Sequence, residues 1–296
     1  MNKIQHISQN ATLNSTEMIS VISGNIYGYI HNGNRAKRYR FSDYMSGGDI
    51  KDNGFLWSQG KQEPRTGEWT KVMINGRGLF TVKNPKTGEN YYTRLGDFHI
   101  DAAGNLVSGE GYKVQGTPLA GAATRLQGPD PKQVGFKEIN PNWADPFNNP
   151  YTNNAQNLQP PGKAVGEAED INLALDRNNG RYLGRFEEIK VGEDGVLYGK
   201  DGNHVVSLYK LNIVDFNNLD GLKDVKDGVY FKSTDQSGLP TMGVETSVIG
   251  EALEKSNAWI KVEAHNLTDA QRYFQAASQI HKLADKISGT AIEMIQ

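Results

Sequence analysis

EALEKSNAWIKVEAHNLTDAQRYFQAASQIHKLADKISGTAIEMIQ, residues 251–296, contains no proline and a single glycine, Gly289. Apolar or small residues recur at alternating steps of three and four, through Leu253, Asn257, Ile260, Ala264, Leu267, Gln271 and Phe274. Consecutive steps of three then lead to Ala277 and Ile280, and the stripe continues through Ala284, Ile287, Ala291 and Met294. This is a heptad seam, and the run of threes from Gln271 to Ile280 has the form of a stammer, which overwinds a helix pair locally without ending it. A continuous helix here would be about 69 Å long at about 1.5 Å per residue, so it must lie against something else of comparable length. With Asn257 and Gln271 on the stripe and alanine at four of its positions, the seam is weak. The simpler alternative is a long amphipathic helix lying on its own domain.

The first two dozen residues repeat the pattern at Ile4, Ile7, Ala11, Asn14, Met18, Val21 and Asn25, so a second amphipathic helix is expected there and the two ends of the chain can pair. Gly24, Gly28 and Gly33 break the pattern. The basic run Arg35, Lys37, Arg38 and Arg40 that follows, beside Tyr39, Phe41 and Tyr44, reads as a solvated or interfacial turn.

Between these ends the period changes to two. Val72, Ile74, Phe80 and Val82 point one way, with Gly76 and Gly78 between them, while Lys71, Asn75, Arg77 and Thr81 point the other. That alternation predicts a half-buried strand with a tight bend, and the segments Tyr91–Ile100 and Leu106–Val107 extend it into a β-meander. Seven of the eleven prolines fall between Pro129 and Pro161, so residues 121–184 are expected to form a loop-rich insertion. Strand signals return at Ile189, with hairpin turns at Asp194-Gly195 and Asp201-Gly202, and run through Val205 to Phe216, after which a turn-rich stretch follows through Asp220-Gly221, Asp227-Gly228 and Gly238-Leu239-Pro240. The sequence thus predicts an α+β fold with three parts. Residues 1–45 and 250–296 form a coiled-coil-like helical core, residues 46–120 and 185–249 form the central β domain, and residues 121–184 are the insertion.

Composition narrows the function. The formal net charge of −2 argues against a nucleic-acid binder, which carries a basic excess or stripe. The absence of cysteine removes disulfides, thiol nucleophiles and thiolate metal sites. No apolar run approaches the ~18 residues that cross a bilayer, so no membrane insertion is expected. Met1 to Ser20 shows no continuous apolar core of a secretory signal, so the protein is expected to be cytoplasmic or exported by a machine that does not need a cleavable one. The six histidines, His6, His31, His99, His204, His265 and His281, have no close ligand spacing. The acid pairs Glu169-Asp170 and Glu187-Glu188 are sequence neighbours and do not face one another across a cleft. Asp176-x-Asn178-x-Gly180 departs from a calcium loop at its fifth and sixth positions. No catalytic, cofactor-binding or metal-ligating set is expected, and the chain reads as a non-enzyme.

Two motifs carry a family resemblance. Ile74-Asn75-Gly76-Arg77-Gly78-Leu79-Phe80-Thr81-Val82, followed by Tyr92-Thr93-Arg94-Leu95-Gly96-Asp97-Phe98 and Asp101-Ala102-Ala103-Gly104-Asn105-Leu106-Val107, resembles the central signature of the bacterial flagellar rod and hook axial proteins. Its defining positions here are Gly76, Gly78, Phe80, Thr93, Arg94, Gly96, Phe98, Asp101 and Gly104. Near the far end, Leu253-Glu254-Lys255-Ser256-Asn257 and Ala270-Gln271-Arg272-Tyr273-Phe274 resemble the same family's terminal helix. Leu79 stands where the family carries Phe, and the asparagine-rich end of its first helix is reduced to Asn25, Gly33 and Arg35. The nearest member by length is the distal rod type, with the proximal rod and hook types behind it.

The resemblance implies a subunit of the flagellar basal body in the cell envelope. Such a subunit polymerises into a helical tube that transmits torque to the hook, with its terminal helices inside and its β domain outside. It implies a homopolymer that also meets other rod and hook proteins, the type III export apparatus and a rod or hook cap, with no cofactor. The expected subunit-packing residues are Ile4, Ile7, Ala11, Met18, Val21, Leu253, Asn257, Ile260, Leu267, Gln271, Phe274, Ile280 and Ile287. A secreted β-rich adhesin or carbohydrate-binding protein with a helical stalk is the alternative from another class.

Overall fold

A computed structural model of the chain describes residues 3–39, 54–63, 66–119, 167–173, 188–201, 204–242 and 246–293. The expectations for residues 121–166 and 174–184 of the insertion, and for Arg40, Phe41 and Tyr44, lie outside the described residues. The chain divides into two compact units, a helical one of residues 1–58 and 256–296 and a β unit of residues 59–255. Residues 54–58, assigned by sequence to the β domain, cluster with the helical unit, and residues 250–255 cluster with the β unit.

In the helical unit, α1 spans Lys3–Gly28 and α2 spans Ile260–Glu293. They run antiparallel, because partners advance along one helix as they retreat along the other. Gln5 Nε2 donates to Asp285 Oδ1 at 2.8 Å, Ser8 Oγ meets His281 Nδ1 at 3.1 Å, and Asn25 Nδ2 donates to Glu263 Oε1 at 3.1 Å. The expected terminal pairing is present, but α2 starts ten residues after Gly250, at Ile260. Leu253 and Asn257 fit a helical spacing yet lie in the extended stretch before α2, where backbone groups of other segments satisfy this stretch.

The β unit is built on one large sheet whose main path runs β12 (Lys223–Lys226), β13 (Tyr230–Lys232), β3 (Asn90–Thr93), β2 (Leu79–Lys83), β6 (Lys113–Pro118), β10 (His204–Leu211), β9 (Val196–Asp201) and β8 (Glu188–Val191). Off this path, β5 (Leu106–Ser108) pairs with β4 (Phe98–Ile100) and with β6, and β11 (Ile213–Asp215) joins β2 to β14 (Thr241–Met242). A separate two-stranded ribbon joins β1 (Val72–Asn75) to β15 (Ser247–Gly250) in antiparallel register, Ile74 opposite Val248. Every pairing is antiparallel. Such a sheet can be assembled from hairpins and long returns without helical crossovers.

Two expectations about the strands are corrected. The stretch around Gly76 and Gly78 is not one bent strand, since β1 and β2 lie in different sheets and both glycines sit at positive φ, +113° and +115°. Nor is β2 half-buried. Leu79 and Thr81 on one face are as buried as Phe80 and Val82 on the other, so the face that alternation assigned to solvent is covered. The meander is likewise interrupted, since the expected strand Tyr91–Ile100 is divided into β3 and β4, and β13 lies beside β3 where the Leu106–Val107 strand was expected.

Residues 167–173, inside the expected insertion, belong to the β unit. β7 (Glu169–Asp170) pairs with β6, and Ile171 and Leu173 are buried in the same core as Val72, Phe80, Phe98 and Val114. Leu106 N donates to Ile171 O and Ile171 N to Val114 O, both at 2.9 Å. Proline and asparagine content masked a short apolar plug, since two fully buried side chains stabilise by roughly 1.5–3 kcal/mol each without altering composition.

Candidate assembly interface

The signature residues build one anchor in the β unit. Arg94, at the end of β3, donates through Nη1 to Ile74 O at 3.2 Å and through Nη2 to Gly76 O at 2.5 Å. Its Nη1 also lies 3.2 Å from Glu254 Oε2, and the two side chains are 6% and 0% exposed. Glu254 Oε1 accepts the Gly60 N–H at 2.7 Å. The ion pair thus joins the first motif to the second across 160 positions of sequence. A buried pair is tolerable only when its remaining donors and acceptors are satisfied, as they are here by two carbonyls and an amide.

The rest of the signature holds this anchor in shape. Thr93 Oγ1 accepts the Leu95 N–H at 2.9 Å, turning the chain after β3. A Cβ at Gly96 would lie 1.7 Å from Val72 O, so only glycine allows the turn to approach β1. Phe98 and Phe80 meet edge to face with ring centroids 5.3 Å apart, both fully buried. Asp101 caps the β4–β5 turn by accepting the backbone N–H groups of Ala103 at 2.9 Å and Asn105 at 2.8 Å, with Gly104 at φ +83°. Burial works against the Asp101 carboxylate, but hydrogen bonds from Asn105 and Ala103 hold it below the usual carboxylate range.

Asn257, placed by sequence on the helical seam, does different work in the helical unit. Its Oδ1 accepts the Ala36 N–H at 2.8 Å, and its Nδ2 donates to Leu56 O at 2.6 Å and Ser58 O at 3.0 Å. One amide thereby ties three segments. Asn257→Ala is expected to leave these groups without their partner and to cost about 1–3 kcal/mol in helical-unit stability, read by urea denaturation. The basic run beside it is also structural. Arg35 is buried and donates to Ser58 O at 2.8 Å, and Arg38 donates to Phe55 O at 3.0 Å. Arg35 is therefore no part of a solvated turn.

The seam between α1 and α2 has the expected period and follows the expected stripe only in part. On α1 the inward residues are Ser8, Ala11, Ser15, Met18, Ile22 and Asn25. On α2 they are Glu263, Leu267, Ala270, Phe274, Ala277, His281 and Ala284. Both sets alternate threes and fours without a break, so the stammer disappears once Ala270 and His281 replace Gln271 and Ile280 on the stripe. Of the expected packing residues, Ala11, Met18, Leu267 and Phe274 face inward, and Val21 and Ile260 are half-buried. Gln271 is exposed, as are Ile4, Ile7, Ile280 and Ile287, the last two at 52% and 58%.

The physical reason is size. Serine and alanine let two backbones approach, and the hydroxyls that small-residue packing buries are satisfied within α1, Thr12 to Ser8 O at 2.9 Å and Ser15 to Ala11 O. The larger aliphatics are displaced outward. On α2, Ile280, Leu283 and Ile287 form a stripe of their own at steps of three and four. On α1, Ile4 and Ile7 are exposed toward the end that pairs with this part of α2. Contiguous exposed aliphatics of this kind mark an interaction surface.

Among the described residues, no group of three or more histidine, aspartate or glutamate side chains could hold a metal ion, and no helix is long and apolar enough to cross a membrane. His31 stacks on Tyr27 with centroids 4.8 Å apart, and His265 lies 3.5 Å from Asp269.

Comparison with known proteins gives consistent matches. Residues 73–199 match the family model of the flagellar hook protein FlgE/F/G D1 domain. The chain is 27% identical over 129 residues to the flagellar hook protein FlgE of Escherichia coli (strain K12), covering 42% of this chain and 32% of that protein. It is 23% identical over 230 residues to the flagellar basal-body rod protein FlgG of Buchnera aphidicola subsp. Baizongia pistaciae, covering 75% of this chain and 64% of that protein. To the same rod protein of Agrobacterium fabrum it is 24% identical over 230 residues, with 75% and 63% covered. The alignment thus spans about a third of the hook protein's length and under two thirds of the rod proteins'.

Proposed function

We propose that the chain is a member of the flagellar rod and hook axial-protein family and, within it, a structural, non-enzymatic subunit of the basal-body rod. In this reading it polymerises with copies of itself into a helical tube that carries torque to the hook. The observation that carries the proposal is the outward aliphatic stripe of Ile280, Leu283 and Ile287, with Ile4 and Ile7 on α1. Toward this end of its length the helix pair buries Ser8, Ala277 and Ala284 and leaves isoleucine and leucine outside, keeping that part of its hydrophobic stabilisation for other chains. The repeated stripe suits a contact that recurs from subunit to subunit, and a head-to-tail contact that does not close on itself generates an open helical polymer.

Rod is favoured over hook because the rod relatives align over 230 residues and the hook relatives over 129. Neighbouring rod and hook proteins, an export apparatus and a cap are the partners such a subunit needs, and the flagellar basal body in the cell envelope is its place. Electron microscopy of the concentrated chain should show open helical filaments. Discrete particles of fixed size would overturn the assignment to a polymer subunit.

A further inference from the structure

In the helical unit a buried carboxylate is held, among the described residues, by neutral groups. Glu263, in the first turn of α2, is buried. Its Oε1 accepts from Asn25 Nδ2 of α1 at 3.1 Å, and its Oε2 accepts from Tyr39 Oη at 2.7 Å. Asn25 is itself fixed, accepting the Lys37 N–H at 2.7 Å and donating to Lys37 O at 3.0 Å. Asn266 Nδ2 donates to Tyr39 Oη at 2.6 Å. One carboxyl group therefore connects α1, the segment following it and α2.

The charged groups of the packed elements are turned to other work. On the 35–39 segment, Arg35 and Arg38 donate to the carbonyls of Ser58 and Phe55, and Lys37 Nζ sits over the Phe55 ring at 5.8 Å. On α1, Glu17 is exposed and Tyr27 stacks on His31. On α2, Lys261 and His265 are exposed, and His265 lies beside Asp269. Tyr39 is the one titratable side chain among the described residues in contact with the Glu263 carboxyl, and no described cation pairs with it.

We propose that Glu263 is a proton-operated lock on the pairing of the two terminal helices, loosened when it ionises and tightened when it takes up a proton. An ionised carboxylate enclosed by neutral donors has lost more hydration than two hydrogen bonds return, whereas the neutral acid keeps both contacts at little desolvation cost. Burial accordingly raises the Glu263 pKa, and the hydrogen bonds from Tyr39 and Asn25 only partly offset it. Because the folded state then binds the proton more readily than the unfolded chain, helix pairing gains stability as pH falls from neutral through the raised folded pKa. The gain is complete near the ordinary glutamate pKa of about 4.3. The lock operates within a single chain and does not rest on the polymer reading.

The test is far-UV circular dichroism melting of the full chain between neutral pH and that value, for wild type and Glu263→Gln. The wild-type helical transition should move up by several degrees on acidification. The glutamine variant, a permanent mimic of the neutral acid, should melt at the higher temperature throughout. A wild-type transition that stays flat or falls, while the glutamine variant shows no rise at neutral pH, overturns the proposal. If glutamine disturbs folding, NMR of carboxyl-labelled glutamate decides on the wild-type protein. A Glu263 resonance titrating above the exposed glutamates supports the lock, and one titrating with or below them sinks it.

Discussion

Alanine at position 254 is expected to cost the β unit about 3–5 kcal/mol, the usual result of removing one member of a buried ion pair. Glu254 is enclosed against Arg94, and deleting it leaves a guanidinium that is almost as buried, together with the Gly60 N–H. The carbonyls of Ile74 and Gly76 keep part of the Arg94 charge solvated, so the protein should still fold, with its urea midpoint strongly lowered. Replacing both members, Glu254→Leu with Arg94→Met, should recover much of the loss because no buried charge remains. A loss below about 1 kcal/mol for Glu254→Ala would mean that the pair behaves like a solvent-exposed one.

Ile280→Asp combined with Ile287→Asp is expected to abolish polymerisation and leave the subunit's own melting nearly unchanged. Both side chains are more than half exposed in the single chain, and substitutions at such positions usually shift stability by no more than about 0.5 kcal/mol. In a polymer the same positions would be enclosed, each losing roughly 1.5–3 kcal/mol of apolar burial per contact and adding an unpaired carboxylate. Since about 1.4 kcal/mol is a factor of ten in affinity, the loss repeats at every subunit and no filament should survive it. Sedimentation with circular dichroism melting of the same sample checks both halves. Phe274 is unsuited to this experiment despite lying on the stripe read from sequence, because it is half-buried in the single chain, between the buried Ala270 and Ala277 on the same stripe, and an aspartate there would strike the helix pair itself.

The pairing of the two chain ends was legible in the sequence, and so was the period of their seam. Its phase was legible only in part. Ala277 and Ala284 were placed on the buried stripe, but assigning the largest aliphatics to that face also put Ile4, Ile7, Ile280 and Ile287 inside, whereas Ser8, Ser15 and Ala270 are the buried residues there. Amphipathicity records where apolar side chains lie on a helix and does not reveal which of two apolar faces meets the partner within the same chain. The β unit divides in the same way. Its local hairpins could be read from turn residues, including Asp194-Gly195 between β8 and β9. The placement of β13 beside β3 and the closure of Arg94 on Glu254 are set by contacts distant in sequence. Position spacing carries no signal for such contacts. The two motifs were visible separately as signatures, and what joins them became visible only as a hydrogen-bonded ion pair.

The most direct test of the assembly surface uses the chain's lack of cysteine. A single Ile280→Cys substitution places one thiol on the outward stripe, and its rate of labelling by a soluble maleimide can be measured on the dilute subunit and on concentrated, sedimentable protein. The account predicts rapid labelling in the subunit and strong protection in the assembled material. Equal labelling in both states would contradict it, showing that whatever the chain forms, the stripe of Ile280, Leu283 and Ile287 is not what holds it together.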